Sequence, residues 1–124
     1  MLPAYTYTKE GSKKAMSLTV NLYYKGKDGS ARRFAEEMES SGTAAAIRAE
    51  DGNLRYEYFL PMQDPETVLL IDSWRDQAAI DAHHASPMMK TIAELREKYD
   101  LHMEVERYVS AGEVSAADEA FLRR

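Results

Sequence analysis

Thr67-Val68-Leu69-Leu70-Ile71-Asp72-Ser73-Trp74-Arg75-Asp76-Gln77-Ala78-Ala79-Ile80-Asp81-Ala82-His83-His84-Ala85-Ser86-Pro87 changes its hydrophobic period halfway along. Thr67 to Trp74 carries a nearly unbroken apolar run, Val68-Leu69-Leu70-Ile71, which marks a strand covered on both faces and therefore central in a sheet. Asp76 is placed to cap a short helix reaching His84 or Ala85. Ser86 as cap and Pro87 at a first helical position then stop that helix and start another. The stretch also holds the only tryptophan and two of the three histidines.

Upstream, Leu18, Val20, Leu22 and Tyr24 alternate with Thr19, Asn21 and Tyr23, a strand of period two. Lys25-Gly26-Lys27-Asp28-Gly29 is turn chemistry, and Ser30 is placed to cap a helix with Ala31, Phe34, Ala35, Met38, Ala45 and Ala49 on one stripe. Ser40-Ser41-Gly42 weakens the middle of that helix, and Gly52 ends it. Leu54, Tyr56, Tyr58 and Leu60 then alternate with Arg55, Glu57 and Phe59, and the loop Pro61–Glu66 returns the chain to the central strand. Downstream, a helical stripe of Met88 or Met89, Ile92, Leu95 and Tyr99 leads to a last strand, with Leu101, Met103, Val105 and Val109 on one side. The order β-α-β, β-α-β predicts an α+β ferredoxin-like split βαβ fold, its four-stranded antiparallel sheet covered by helices on one face.

The other sheet face would carry Asn21, Arg55, Glu57 and Phe59, a mixed surface suited to burial against a second copy, so a homodimer through the sheets is expected. Residues 1–16 read as an N-terminal polar arm, 17–110 as the folded domain, and 111–124 as a tail with a short helix docking Phe121 and Leu122.

The chain has 124 residues, a net charge of −5 and no cysteine. The charge offers no basic field to nucleic acid or an anionic membrane. The absence of cysteine removes disulfides, thiolate catalysis and cysteine-ligated metal, and fits a cytoplasmic location. The first residues do not resemble a signal peptide, and no apolar run reaches the ~20 residues of a membrane span. Nucleophile elbow, phosphate-cradling glycine loop and dinucleotide fingerprint are all missing, which disfavours ATP- and NAD-dependent chemistry.

Candidate chemistry gathers around few residues. Trp74 is either core or an aromatic wall for a planar ligand. Neighbouring helical positions point about 100° apart, so His83 and His84 cannot both face inward; His83, three residues after Ile80, is the inward one and a candidate general base. No i,i+4 histidine pair lies on one helix face, and His102 is on a strand against the core alternation, so no metal site is expected. Asn21 is either a dimer contact or a donor to a carbonyl or oxyanion. Tyr23, Tyr56 and Tyr58 would line the same cavity or simply pack.

Three segments, in order, carry a resemblance: Glu50-Asp51-Gly52-Asn53-Leu54-Arg55-Tyr56-Glu57, Asp72-Ser73-Trp74-Arg75-Asp76-Gln77-Ala78-Ala79-Ile80-Asp81-Ala82-His83, and Ala85-Ser86-Pro87. From about Leu18 to Tyr108 the chain resembles the antibiotic biosynthesis monooxygenase family, in particular its small quinol-monooxygenase-like members. It departs from them at Asp72, where a glutamate is usual, and at His84, where relatives are commonly apolar or aromatic. The resemblance implies a dimeric α+β barrel and oxidation of electron-rich phenols, quinols or anthrones by O2, with no cofactor. His83 would then be base or oxyanion partner, Asn21 would hold a substrate oxygen, and Trp74, Tyr56 and Tyr58 would line the ring slot. Haem-degrading relatives place a ligand histidine further along the helix, where this chain has Lys90-Thr91-Ile92-Ala93, so haem is disfavoured. Another relative isomerises a phosphorylated signalling sugar, which leaves a non-oxidative isomerase, or a non-catalytic binding dimer, as alternatives.

Overall fold

The computed structural model describes residues 17–124 throughout and, before them, only the backbone of β1 (Tyr5–Tyr7) and β2 (Lys13–Ala15), which pair antiparallel with each other. Apart from those two strands, the reading of residues 1–16 as an arm lies outside the described residues. The body consists of β3 (Leu18–Lys25), α1 (Ser30–Ser40), α2 (Thr43–Arg48), β4 (Asn53–Phe59), β5 (Thr67–Trp74), α3 (Gln77–His84), α4 (Met88–Lys98), β6 (His102–Val109) and α5 (Ala116–Glu119). Its sheet has the order β4-β5-β3-β6 and every pairing is antiparallel, with β5 central as its apolar run requires. This is the expected α+β ferredoxin-like fold.

One sheet face packs under the helices. Tyr24, Tyr56, Leu70 and Trp74 from the sheet meet Phe34, Met38 and Ile47 from α1 and α2, and Ile80, Ile92 and Leu95 from α3 and α4. Burying each large apolar side chain contributes about 1.5–3 kcal/mol, so this layer holds the helices in place. The register puts Asn21 opposite Ile71 and Tyr23 opposite Leu69, on the other face.

Several local expectations are corrected. Ser30 does not cap α1: it is the first helical residue, and Gly29 precedes it at φ 79°. The cap comes from the loop before β5, where the Glu66 carboxylate accepts from the N–H groups of Asp28 (2.7 Å) and Gly29 (2.8 Å). The helix after the first turn does break where Ser40-Ser41-Gly42 weakens it, at Gly42 with φ 81°, and is two helices. The break resets the helical phase, so Ala44 and Ile47 are buried while Ala45 and Ala49 face solvent. Ser86 does not cap α4 either: Pro87 holds that position, and the Ser86 hydroxyl is buried without a partner among the described residues. Asp76 does cap α3, its Oδ1 accepting from Ala79 N–H at 2.9 Å.

A bulge between Asn53 and Arg55 throws Leu54 out of the alternation, and it is exposed. All of β6 is exposed, including Met103, Val105 and Val109, because the helices cover β4, β5 and β3 but stop short of this edge. The tail forms α5, capped by Ser115, but Phe121 is 87% exposed and does not dock on the body. No helix among the described residues is long and apolar enough to cross a membrane.

Candidate active site

Between the sheet and α3–α4 lies a cavity of about 310 Å³, near the lower end of the usual ~300–1,000 Å³ range for small-ligand sites. Its floor is Val20, Leu22, Tyr24, Tyr56, Leu70, Asp72 and Trp74; its roof includes Ile80, His83, Met89, Ile92 and Arg96. Val105 and Arg107 line it from the edge strand. Strand periodicity explains the floor, since positions 70, 72 and 74 of β5 point to one side.

Trp74 and His83 form one wall. Their rings stack at 4.7 Å between centroids with 28° between planes, and both are almost wholly buried. The Nδ1 of His83 lies 2.7 Å from Glu50 Oε1. A carboxylate there keeps the proton on Nδ1 and leaves Nε2 as the ring nitrogen able to meet a ligand. Glu50 owes its position to the turn after α2. Gly52, at φ 85°, accepts from Arg75 N–H at 2.8 Å, and a Cβ on it would come within 2.6 Å of the Ala79 Cβ. Only glycine lets α3 sit this close to the Glu50 turn. His84 is exposed and also touches the cavity, with its ring 5.7 Å from that of His83.

Asp72 is a buried acid beside this wall. Burial pushes its carboxyl up to about 6; the nearby His83 and the polar edge of Trp74 pull the other way, and Glu50 adds to the rise. Its Oδ1 is buried with no hydrogen-bond partner among the described residues. Towards the far end, Arg96 donates through Nη2 to the Tyr24 hydroxyl at 3.1 Å, and its guanidinium lies 5.5 Å from the centre of that ring. The Arg96 Nε is likewise buried without a partner among the described residues. Arg107 donates to Gln77 Oε1, tying the edge strand to the start of α3.

The other expected site residues are distributed as follows. Tyr56 lines the cavity. Tyr58 donates to the Tyr56 hydroxyl at 3.3 Å but borders a separate surface groove with Phe59 and Arg48. Both phenols are pushed far up, by burial first of all, and stay neutral. Asn21 and Tyr23 are not brought to the cavity; the β3 register turns them to the opposite face, where the Asn21 Oδ1 is buried without a partner among the described residues. No group of three or more potential metal-ligating side chains converges among the described residues. Sequence reasoning missed Glu50, Arg96 and Arg107 and gave Asp72 no role. Arg96 left a usable signal, four residues after Ile92 on the inward stripe; Arg107 and Asp72 left another, at strand period with Val105 and Trp74.

An antiparallel four-stranded sheet with an aromatic–imidazole wall beneath two helices defines a small ferredoxin-like domain with one ligand-sized chamber under its helices. The model of the antibiotic biosynthesis monooxygenase family matches residues 17–95, and the chain belongs to that family. A Bacillus subtilis (strain 168) protein provisionally named as the monooxygenase YcnE is 28% identical over 67 residues, covering 54% of this chain and 68% of that one. Among solved structures, PA3566 from Pseudomonas aeruginosa superposes with a TM-score of 0.69 at 22% identity, covering 82% of this chain and 100% of that one. SnoaB, a cofactor-independent oxygenase from Streptomyces nogalater, superposes with a TM-score of 0.67 at 17% identity, covering 81% and 98%. At these identities the structural matches establish the shared fold.

Proposed function

We propose that this protein is a cofactor-independent monooxygenase that oxidises an electron-rich hydroxyaromatic, quinol- or anthrone-like, with O2. The observation that carries the reading is the Trp74–His83 stack in the wall of the cavity beneath the helices, with Glu50 fixing the imidazole. A planar substrate lies against the aromatic wall, and the Nε2 of His83 meets its oxygen. Once ionised, an extended phenolate can itself pass an electron to O2, so the protein need only bind it away from water, remove a proton and hold the oxyanion. For an anthrone-type ring the methylene carbon becomes a carbonyl. One atom of O2 stays in that carbonyl and the other leaves as water with the two hydrogens, so no external reductant is consumed. The family and the SnoaB likeness support this chemistry. The sheet-to-sheet homodimer belongs to the same proposal, with the half-buried Tyr23, Phe59, Leu69 and Ile71 on the face opposite the helices.

Oxygen uptake with a panel of quinols and anthrones tests it. Wild-type protein consumes O2 in step with product, and His83→Ala lowers kcat by roughly 10²–10⁴-fold, the range for a lost acid–base group. Equal turnover in the variant removes His83 from the mechanism. Product formed anaerobically would point instead to isomerisation, and ligand-induced stabilisation without product to a binding role.

A further inference from the structure

Resting on the reading above, the geometry assigns a second catalytic residue: we infer that Asp72, through Oδ1, takes the hydroxyl proton of the bound aromatic, leaving its electron pair on the oxygen as a phenolate. One O–H bond breaks, one forms on the carboxylate, and no other reactant is needed. The argument starts from an unmet hydrogen bond. Asp72 is 7% exposed, lines the chamber, and has an Oδ1 that no described protein group reaches. A buried acceptor without a donor is costly, and a ligand hydroxyl entering the chamber supplies the donor.

The two acidic and basic groups of the site are also differently engaged. Nδ1 of His83 is held by Glu50 and its ring is pressed on Trp74, so its Nε2 has a fixed place on the chamber wall. The Asp72 carboxyl meets the polar edge of Trp74, while its Oδ1 has no partner among the described residues. The groups facing it are His83 from α3, Glu50 from the turn after α2, Tyr56 from β4 and Tyr24 from β3. Arg96 and Arg107 line the same chamber from α4 and β6. Burial raises Asp72 well above an ordinary aspartate, towards the basicity that accepting a phenolic proton near neutral pH demands. Two positions separate Asp72 from Trp74 along β5, so acid and stacking wall flank one end of the ligand.

The test uses 2-hydroxyanthraquinone, which is already oxidised and whose visible band moves to the red when its hydroxyl ionises. Quenching of Trp74, the sole tryptophan, reports binding, at a pH where the free dye is neutral. Wild-type protein is expected to quench and to red-shift the bound dye. Asp72→Asn is expected to bind within about threefold but leave the band unshifted, and Asp72→Glu to restore the shift. With an oxidisable substrate, Asp72→Asn should lower kcat about 10²-fold or more with KM little changed. A wild type that quenches without a red shift, or an Asp72→Asn protein that binds with the shift intact, overturns the assignment and leaves the monooxygenase reading standing. A wild type that never quenches overturns both.

Discussion

Replacing Glu50 with alanine removes the acceptor that holds His83. The Glu50 and His83 side chains are 16% and 5% exposed, and their contact is 2.7 Å, so solvent cannot replace the lost partner. A hydrogen bond involving a charged group contributes a net of about 1.5–3 kcal/mol, and a buried donor left without a partner costs about 1–3 kcal/mol. A loss of about 2 kcal/mol is expected for Glu50→Ala. Glu50→Gln keeps an oxygen to accept from Nδ1–H and should lose roughly half as much. Urea unfolding followed by Trp74 emission measures both, because the indole stacks directly on the imidazole under study. For a domain of this size, 2 kcal/mol corresponds to a melting shift of roughly 6–12 °C. A double-mutant cycle with His83→Ala should return a coupling of about 1 kcal/mol or more, as for residues in direct contact. Turnover should fall with the same order, alanine below glutamine below wild type, because a freed ring no longer presents Nε2 consistently. Additive single-mutant costs, or a Glu50→Ala protein within 0.5 kcal/mol of wild type as surface substitutions are, would refute the claim that Glu50 fixes the imidazole.

Gly52→Ala should cost about 2–4 kcal/mol, from the left-handed backbone and the forced contact with Ala79; adding Ala79→Gly should recover the contact part only, as read from urea midpoints. Asp72 makes stability depend on pH with an unusual sign. The folded state keeps its proton to about 6, whereas an unfolded aspartate releases it near 3.8, so stability falls as pH rises between the two. Asp72→Asn should therefore be more stable than wild type by roughly 2–3 kcal/mol above pH 6, with the difference vanishing towards pH 4. A constant difference across that window would show that the carboxyl is not desolvated in the folded state.

What the residues disclosed beforehand, and what they withheld, follows from distance along the chain. Asp76 was legible as a cap because its partner, Ala79 N–H, is three residues away. The cap of α1 was not, because Glu66 lies 37 residues beyond Gly29. Alternation placed Tyr56 on one face with Leu54, Tyr58 and Leu60, yet it says nothing about bulges, so Leu54 was assigned inward. Likewise Ala45 and Ala49 were assigned to the buried stripe by continuing one helical phase across Gly42. The same alternation that made Tyr56 face the helices also opposed Asn21 and Tyr23 to the core, and the resemblance to the family drew Asn21 into the pocket against it. The Glu50–His83 contact joins residues 33 apart and had no local signature. Family pattern pointed to the right wall, and only the packing of α3 on the Glu50 turn revealed what holds it.

The Glu66 carboxylate also bears on the order in which the chain assembles. A helix whose first turn is capped by its own side chains can begin to form as soon as it is synthesised. Here the N–H groups just ahead of α1, at Asp28 and Gly29, are satisfied only once the loop before β5 has come back beside them. The same loop supplies the Glu66 carbonyl that accepts from Gly26 N–H at 3.0 Å, so the β3–α1 corner and the entry to β5 close as one event. The start of α1 is thereby slaved to the pairing of β5 with β3, a contact of long sequence separation. An α1 formed ahead of β5 would lack these two hydrogen bonds, so the helix gains its full stability only together with the central strands and the floor of the chamber.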